Sequence, residues 1–531
     1  MTSSAPSPAR AGFSAADDGW IDVRSGTAYC QVGLREMFLT AHTLDDLAIP
    51  TAPAASALLR ICAAITARIT ALDDPELTAE QWVTARAALF ALGRFNQDAV
   101  NAYFDDPAHC FEVFDPNRPF LQDPMLASQC PAPSGINRLV FGRPSGNNLA
   151  WLSPHHDLEP LPVPTPVALQ HLLIHHYYGA SGATTPRTVG SRKPDSNGGR
   201  AGPLRSTVSF HPLGRTLHET LLAQVPHLTG EPWDAPDTCP WEGNAPPAPD
   251  APLAPVTWPG RLLTGRSRHA LLLVPSTDGT YVSDVYLTWS TKQPALSATD
   301  PYLVMRTATK KKTALPPFPR RADADRAWWR ELDALLLAPD EHRAFRRPQI
   351  FDTLNDLPPD VRANMRVRVH GFDQDGKVNN RHWYTAITPP ILTWAQEHDP
   401  QRAERIAQCV AAAEDCATRL SFLTGQAWKD TIDGPGTGGT APARDPGKKT
   451  KNPWATPALA AYWPLAEQTF WRLLHDLDTP ARAAFVTAAE NALRTVTRSD
   501  RIRYRHAARA VAAAVAQLRR PPRARTEGTD R

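Results

Sequence analysis

The sequence predicts an α+β protein, with a large mixed α/β N-terminal domain of irregular loops followed by a C-terminal four-helix bundle. Three observations carry this. Met365-Arg366-Val367-Arg368-Val369 alternates at period two and runs on to Asp375-Gly376, a favoured hairpin-turn pair because both positions tolerate positive φ. Beyond about residue 388 the period becomes that of alanine-rich amphipathic helices. Prolines number 53, about twice the usual share of roughly 5%. Proline lacks the ladder donor, so long loops and interrupted strands are expected.

The elements follow in order. Trp20-Ile21-Asp22-Val23 reads as a short strand, and 32–47 as a helix, with Leu34, Phe38 and Leu39 apolar at helical spacing. Two more helices are predicted over 54–71 and 78–95, and punctuated loops over 105–166. Thr165-Pro166 opens a helix with proline at a permitted first-turn position, ending near Gly179. The stretch 179–214 is glycine-rich, basic and weakly periodic; 216–225 resumes as helix; 233–259 is laden with proline. Strands are predicted at Leu271–Val274 and Thr280–Val282. Asp399-Pro400 starts the first bundle helix, with Ile406, Val410, Ala413, Ala417 and Leu420 on one face. After a polar linker over 431–452, helices are expected over 454–477, from Thr479-Pro480 with Phe485, Ala489, Leu493 and Val496 as its stripe, and over 502–518.

Composition narrows the function classes. The formal charge is only +3, from 57 Lys+Arg against 54 Asp+Glu, and mean hydropathy is -0.36. A small sum can hide opposite patches. Residues 1–130 hold eight basic and sixteen acidic groups. The stretch 185–215 sets Arg187, Arg192, Lys193, Arg200, Arg205 and Arg215 against Asp195 alone, and 494–531 holds eleven arginines against three acids. The first has the look of a phosphate-contacting loop; the second reads as a solvated helix face, or as a rail for nucleic acid or an acidic partner. In the second, Arg501, Arg505 and Arg509 are spaced to form one helical stripe. Seven cysteines without a CxxC pair give neither a disulfide framework nor a zinc spacing. No run approaches the ~18 apolar residues of a membrane span, and no apolar h-region is seen near the N-terminus. A cytoplasmic protein with no membrane partner is expected.

No P-loop or GxSxG elbow occurs, and no GxGxxG sits between a strand and a helix. The sequence offers no recognisable enzyme, and neither a cofactor nor a metal is expected. Gly179-Ala180-Ser181-Gly182-Ala183 is a glycine loop whose backbone can approach a ligand closely, or a helix cap. The rival reading is a metal-dependent phosphohydrolase or nuclease using His155, His156 and Asp157. His171 and His175 share a helix face, but no third ligand or intervening Glu accompanies them. A scaffold that binds only protein is the third possibility.

Four stretches carry a family resemblance: Trp20–Val23 with Gly33-Leu34-Arg35-Glu36; the acidic-aromatic run from Phe111 to Gln122; Gly199–Leu204 with Leu217–Leu222; and the C-terminal helices. In these the chain resembles the CasA family, the large subunit of the type I-E CRISPR surveillance complex, Cascade. The resemblance implies a non-catalytic subunit. Its partners would be the other Cascade subunits (backbone and small), the 5′ handle of the guide RNA, double-stranded target DNA and the effector nuclease-helicase. Such a subunit recognises the protospacer-adjacent motif and helps open the duplex, while base pairing reads the long sequence. Carried over by position, Asn147, Asn148 and Trp151 would form the guide-handle loop. Gly179, Ala180, Ser181, Gly182, Ala183 and Lys292 would meet the motif. Asp373, Gln374, Asp375 and Gly376 would form the duplex wedge, with Gln374 as the inserted side chain. Arg187, Arg192, Lys193, Arg200, Arg501, Arg505 and Arg509 would contact phosphates. The two wedge aspartates depart from what phosphates favour. The expected organisation is a disordered tail over 1–17, a recognition domain over 18–387, the bundle over 388–520 and a basic tail over 521–531.

Overall fold

The computed structural model describes residues 12–146, 153–227, 235–243, 246–307, 309–310, 313–314, 316–340, 344–375, 379–433 and 452–521. The chain forms two compact units. One comprises Met1–Arg326 and Pro339–Thr393; the other comprises Ala327–Ala338 and Trp394–Arg531.

In the first unit, β1 (Ile21–Ser25) pairs antiparallel with β2 (Ala28–Val32) on one edge. The helix read over 32–47 is shorter than expected. Only α1 (Leu34–Thr40) forms, and Asp46–Leu47 becomes β3, pairing with the other edge of β1. Here strand pairing overrides a helical period. The core is α2 (Ala52–Thr70), started by a proline in its first turn and buried over nearly its whole length. By length and hydropathy alone, α2 is the one described helix able to cross a membrane. That corrects the expectation that no run approaches such a length, but 89% of the window is buried within the protein. Arg60 sits in the middle of α2, fully buried, forking onto Asp300 with two contacts of 2.8 Å and donating to Ser56 and Ser209. α3 (Ala79–Leu92) begins with a reciprocal capping box between Thr78 and Gln81 and ends at Gly93 in the left-handed region.

Two small antiparallel sheets and one helix frame the region of interest. β4 (Val163–Pro164) leads directly into α4 (Thr165–Tyr178), whose Leu169, Leu172 and Leu173 are buried as the periodicity requires. β5 (Val208–Leu213) precedes α5 (Leu217–Gln224). β6 (His269–Pro275) and β7 (Tyr281–Trp289) form a hairpin, with β4 on the far side of β7. β8 (Arg366–Gln374) pairs with β9 (Asn380–Ile387) on one side and β5 on the other. The period-two stretch is therefore a central strand, with Val367 and Val369 buried.

The second unit is helical. α6 (Pro400–Asp433) buries Ile406, Val410, Ala413, Ala417 and Leu420. It is followed by α7 (Ala455–Leu473), α8 (Ala481–Val496), the single turn α9 (Asp500–Arg503) and α10 (Ala507–Arg519). α6 packs on α7, α8 and α10, and α7 on α8. Phe485, Ala489 and Leu493 are buried, while Val496 is only half-buried at the helix end. The segment 327–338 adds Trp329, which meets Phe470 at a ring separation of 4.7 Å, and Arg330, which forks onto Glu414.

Candidate nucleic-acid interface

The glycine loop is one arm of an irregular hairpin. Gly182 N–H donates to Gly199 O at 3.0 Å, Thr184 N–H to Ser196 O at 3.0 Å, and Arg187 and Asp195 exchange backbone bonds at 3.1 Å. The close approach requires glycine on both arms. Gly182 lies at φ +133°, and a Cβ on Gly199 would stand 2.4 Å from Gly182 O. Gly179 caps α4 with extended backbone, not in the left-handed state, and the His269 ring occupies the space where a side chain would go. His269 Nε2 meets Ala180 O at 2.9 Å, so the start of the loop is tied to β6. Ser181 is half-buried, and Gly182 and Ala183 are exposed.

Lys292 comes to this hairpin from the end of β7. Its ammonium lies 4.7 Å from the centre of the Trp289 ring and pairs with Asp195. Trp289 Nε1 donates to Asp195 O at 2.9 Å. Gly198 leaves the room this needs: a Cβ there would be 2.8 Å from Lys292 Cε and 2.9 Å from Trp289 Cγ. The hydrogen bond from Lys292, then the Asn197 N–H, holds the Asp195 carboxyl below the usual range. Two segments nearly a hundred residues apart are thus joined through Asp195 and Trp289, neither of which the sequence reading assigned a role. The one signal was Asp195 as the only acid in a basic stretch.

The acidic-aromatic run leads into a contact with this hairpin. Phe111, Phe120 and Trp241 pack with ring separations of 5.7 to 6.3 Å. Gln122 Nε2 donates to Val113 O at 2.7 Å, and its Oε1 accepts from Leu273 N at 2.7 Å. Asp123 follows and pairs with Arg187 at 2.7 Å.

A family model described as CRISPR-associated protein Cse1 matches residues 16–499. The chain belongs to the CRISPR-associated Cse1 family. It is similar to the CRISPR-associated protein CasA/Cse1 of Thermus thermophilus, 26% identical over 487 residues and 88% of each chain. Among solved structures, a chain of a CRISPR RNA-guided surveillance complex matches with TM-score 0.82 and 36% identity, over 96% of this chain and 99% of that one. Thermus thermophilus CasA (Cse1) matches in fold with TM-score 0.70 at 20% identity, over 96% and 99% of the two chains.

In this Cse1-family chain several positions differ from their sequence reading. Arg187 does not face phosphates. It is 1% exposed, held by Asp123, by Gln129 Oε1 at 2.7 Å and by Trp289 O at 3.0 Å. Charge in the sequence does not reveal a buried partner. Arg192, Lys193 and Arg200 are exposed, with Arg192 3.6 Å from Asp250.

Gln374 is not a free wedge side chain. It is 4% exposed; its Oε1 accepts from Ser206 N, and its Nε2 donates to Tyr178 O at 3.2 Å and Asn380 Oδ1 at 2.7 Å. Asp373 is 3.6 Å from Arg381, and Asp375 is 3.7 Å from Arg205. The two acids are therefore matched by cations. Gly376 lies outside the described residues, as do Asn147, Asn148 and Trp151.

The arginine stripe is broken. Tyr504 is extended (φ -105°, ψ 127°) and ends α9, so Arg501, Arg505 and Arg509 do not share one helix. Trp454 Nε1 donates to Asp500 at 2.7 Å, and Tyr504 packs edge-on against Trp428 at 6.0 Å, which fixes the corner. No proline or glycine announces it. Arg505 and Arg509 are exposed; Arg501 is half-buried and donates to Arg494 O at 3.0 Å.

The histidine reading finds no ligand geometry. Asp157 uses both oxygens, accepting from Asn137 Nδ2 at 3.0 Å and Gly146 N at 2.8 Å, and the Gly146 N–H foremost holds its carboxyl low. His156 accepts from Glu159 N. Among the described residues no group of three or more His, Cys, Asp or Glu is placed to hold a metal ion. His175 is buried and His176 half-buried, and they are bonded to the Leu139 and Leu121 carbonyls. Burial pushes both below the usual histidine value, His176 to about 4.

Proposed function

We propose that this chain is the large, non-catalytic subunit of a type I-E CRISPR RNA-guided surveillance complex (Cascade). In this reading it recognises the protospacer-adjacent motif in double-stranded DNA, helps open the duplex for guide RNA pairing and recruits the effector nuclease-helicase. The observation that carries it is that Lys292, held by Asp195 and Trp289 beside Gly198, joins the same Gly182–Gly199 hairpin whose Gly182 and Ala183 are exposed. Exposed backbone beside one cation, without bulky side chains, suits a DNA groove edge. Lys292 reaches DNA by exchanging Asp195 for the ligand. Solvent screens an exposed ion pair, so the exchange costs little. Arg192, Lys193 and Arg200 supply phosphate contacts around it. The β8–β9 hairpin serves as the wedge through its tip, with Gln374 bracing its base. The second unit, read as a four-helix bundle, docks on neighbouring subunits, and Arg505 and Arg509 meet a nucleic-acid strand.

The test is a gel shift with the assembled complex on duplexes with and without the motif. Lys292→Ala weakens motif-dependent binding about tenfold or more and leaves assembly intact. Unchanged motif discrimination in a complex that contains the variant overturns the site.

A further inference from the structure

We infer that the outer edge of β2, together with the cavity beside it, is a protein-docking site that takes an extended segment bearing a carboxylate. The inference rests on the reading of this chain as a complex subunit. It concerns a surface on the first unit separate from the glycine hairpin.

β2 pairs through one edge only, with β1, from Ile21↔Val32 to Ser25↔Ala28; among the described residues no strand covers its other edge. Four of its five residues, Ala28 to Gln31, are exposed, and Tyr29 is 71% exposed. Open edges are usually protected by lysine, proline or a bulge. Ala28-Tyr29-Cys30-Gln31-Val32 has no such residue and no charge. A strand of this kind is a template for backbone pairing with another chain.

The cavity beside it, of about 330 Å³, supplies the side-chain complement. Tyr29, Leu47, Ile49 and Ile387 give it apolar walls, and Arg24, Arg366 and Arg368 line it as well. Two of these charges are already met: Arg24 reaches Asp45 at 3.0 Å, and Arg368 forks onto buried Asp46. Arg366 makes no side-chain hydrogen bond or ion pair among the described residues. One unmatched guanidinium among apolar walls fits one carboxylate flanked by apolar side chains.

Nucleic acid fits less well. A phosphate backbone needs several uncompensated cations, and of the three arginines here Arg24 and Arg368 are already paired. An open strand edge also offers backbone donors and acceptors in the repeat of a peptide.

Cys30 provides the probe. It is the one exposed cysteine of the seven, at the middle of β2. The full chain is mixed with the guide RNA and the remaining subunits of the complex, and the rate of maleimide labelling at Cys30 is compared with that of the free chain. Slowing of tenfold or more on assembly is expected, with loss of protection in Arg366→Glu. A benzophenone placed on Cys30 is expected to cross-link to a protein subunit. Cross-linking to RNA or DNA overturns the inference, and so does labelling at the free rate in a chain that co-elutes with the complex. A chain that fails to co-elute refutes the functional reading and this inference with it. Should Arg366→Glu fold poorly, Arg366→Gln with hydrogen exchange of residues 28–32 replaces it; exchange unaltered by assembly counts equally against the site.

Discussion

Replacing Arg187 by methionine separates the two roles this residue can have. The substitution keeps the length of the stem and removes the charge. It leaves the Asp123 carboxylate, 2.7 Å from the lost guanidinium and only 11% exposed, without its partner. It also strands Gln129 Oε1 and Trp289 O, which accepted at 2.7 and 3.0 Å. Breaking a buried pair from one side costs about 3–5 kcal/mol. The Coulomb energy of such a pair at an effective dielectric near 20 is of similar size, about 4 kcal/mol. Urea unfolding of Arg187→Met should therefore show a loss of roughly 3–5 kcal/mol. The double variant with Asp123→Asn should recover part of it, with a coupling of about 1–3 kcal/mol. Where the variant is folded, the salt dependence of duplex binding should equal that of the parent. A stability change below about 1 kcal/mol, with a salt slope reduced by about 0.9 as for one lost phosphate contact, would refute the reasoning and return Arg187 to the surface.

Other substitutions test the remaining assignments. Arg192→Ala, Lys193→Ala and Arg200→Ala combined should flatten the salt dependence of duplex binding by roughly 0.9 per lost phosphate contact, with thermal stability unchanged; a parallel salt profile counts against them. Gln374→Ala should cost about 1–3 kcal/mol, because Ser206 N–H and Tyr178 O lose their partner; a variant of full stability with impaired strand opening would restore Gln374 as the wedge. Acidification should destabilise the first unit. Burial lowers His171, His176 and His269 to about 4 in the folded chain, against about 6.5 unfolded. Between those values the unfolded state binds more protons, so the stabilisation present above about pH 6.5 is lost as pH falls toward 4, by up to about 1.4 kcal/mol per pH unit per histidine. Urea midpoints that stay constant from pH 7 to 5 would contradict this, and His269→Gln should reduce the slope.

What was legible in the sequence followed local periodicity and local turn chemistry. The β8–β9 hairpin, the start of α4 at Pro166 and the buried face of α6 each rest on residues close together in the chain. What was not legible depended on partners far away. The helix read over 32–47 gave way because Val32 and Leu47 pair with β1. The corner at Tyr504 is set by Trp428 and Trp454, tens of residues earlier. The run from Phe111 to Gln122 was identified by resemblance, and its role in the structure is packing. It positions Asp123, which holds Arg187, which fixes the register of the glycine hairpin.

The charge count changes most between sequence and structure, and this bears on how the site recognises its ligand. Of the six basic residues over 185–215, Arg187 is buried in an ion pair. Arg205 is nearly buried beside Asp375, and Arg215 is held by Glu219 at 2.6 Å. Arg192, Lys193 and Arg200 remain on the surface. Lys292 adds one cation, but Asp195 offsets it. The field around the hairpin is therefore weaker than the sequence count implies. A strong uniform field would hold any duplex equally. On the proposed function, a weak field with one cation at the glycine hairpin would leave discrimination to the geometry of Gly182, Ala183 and Lys292.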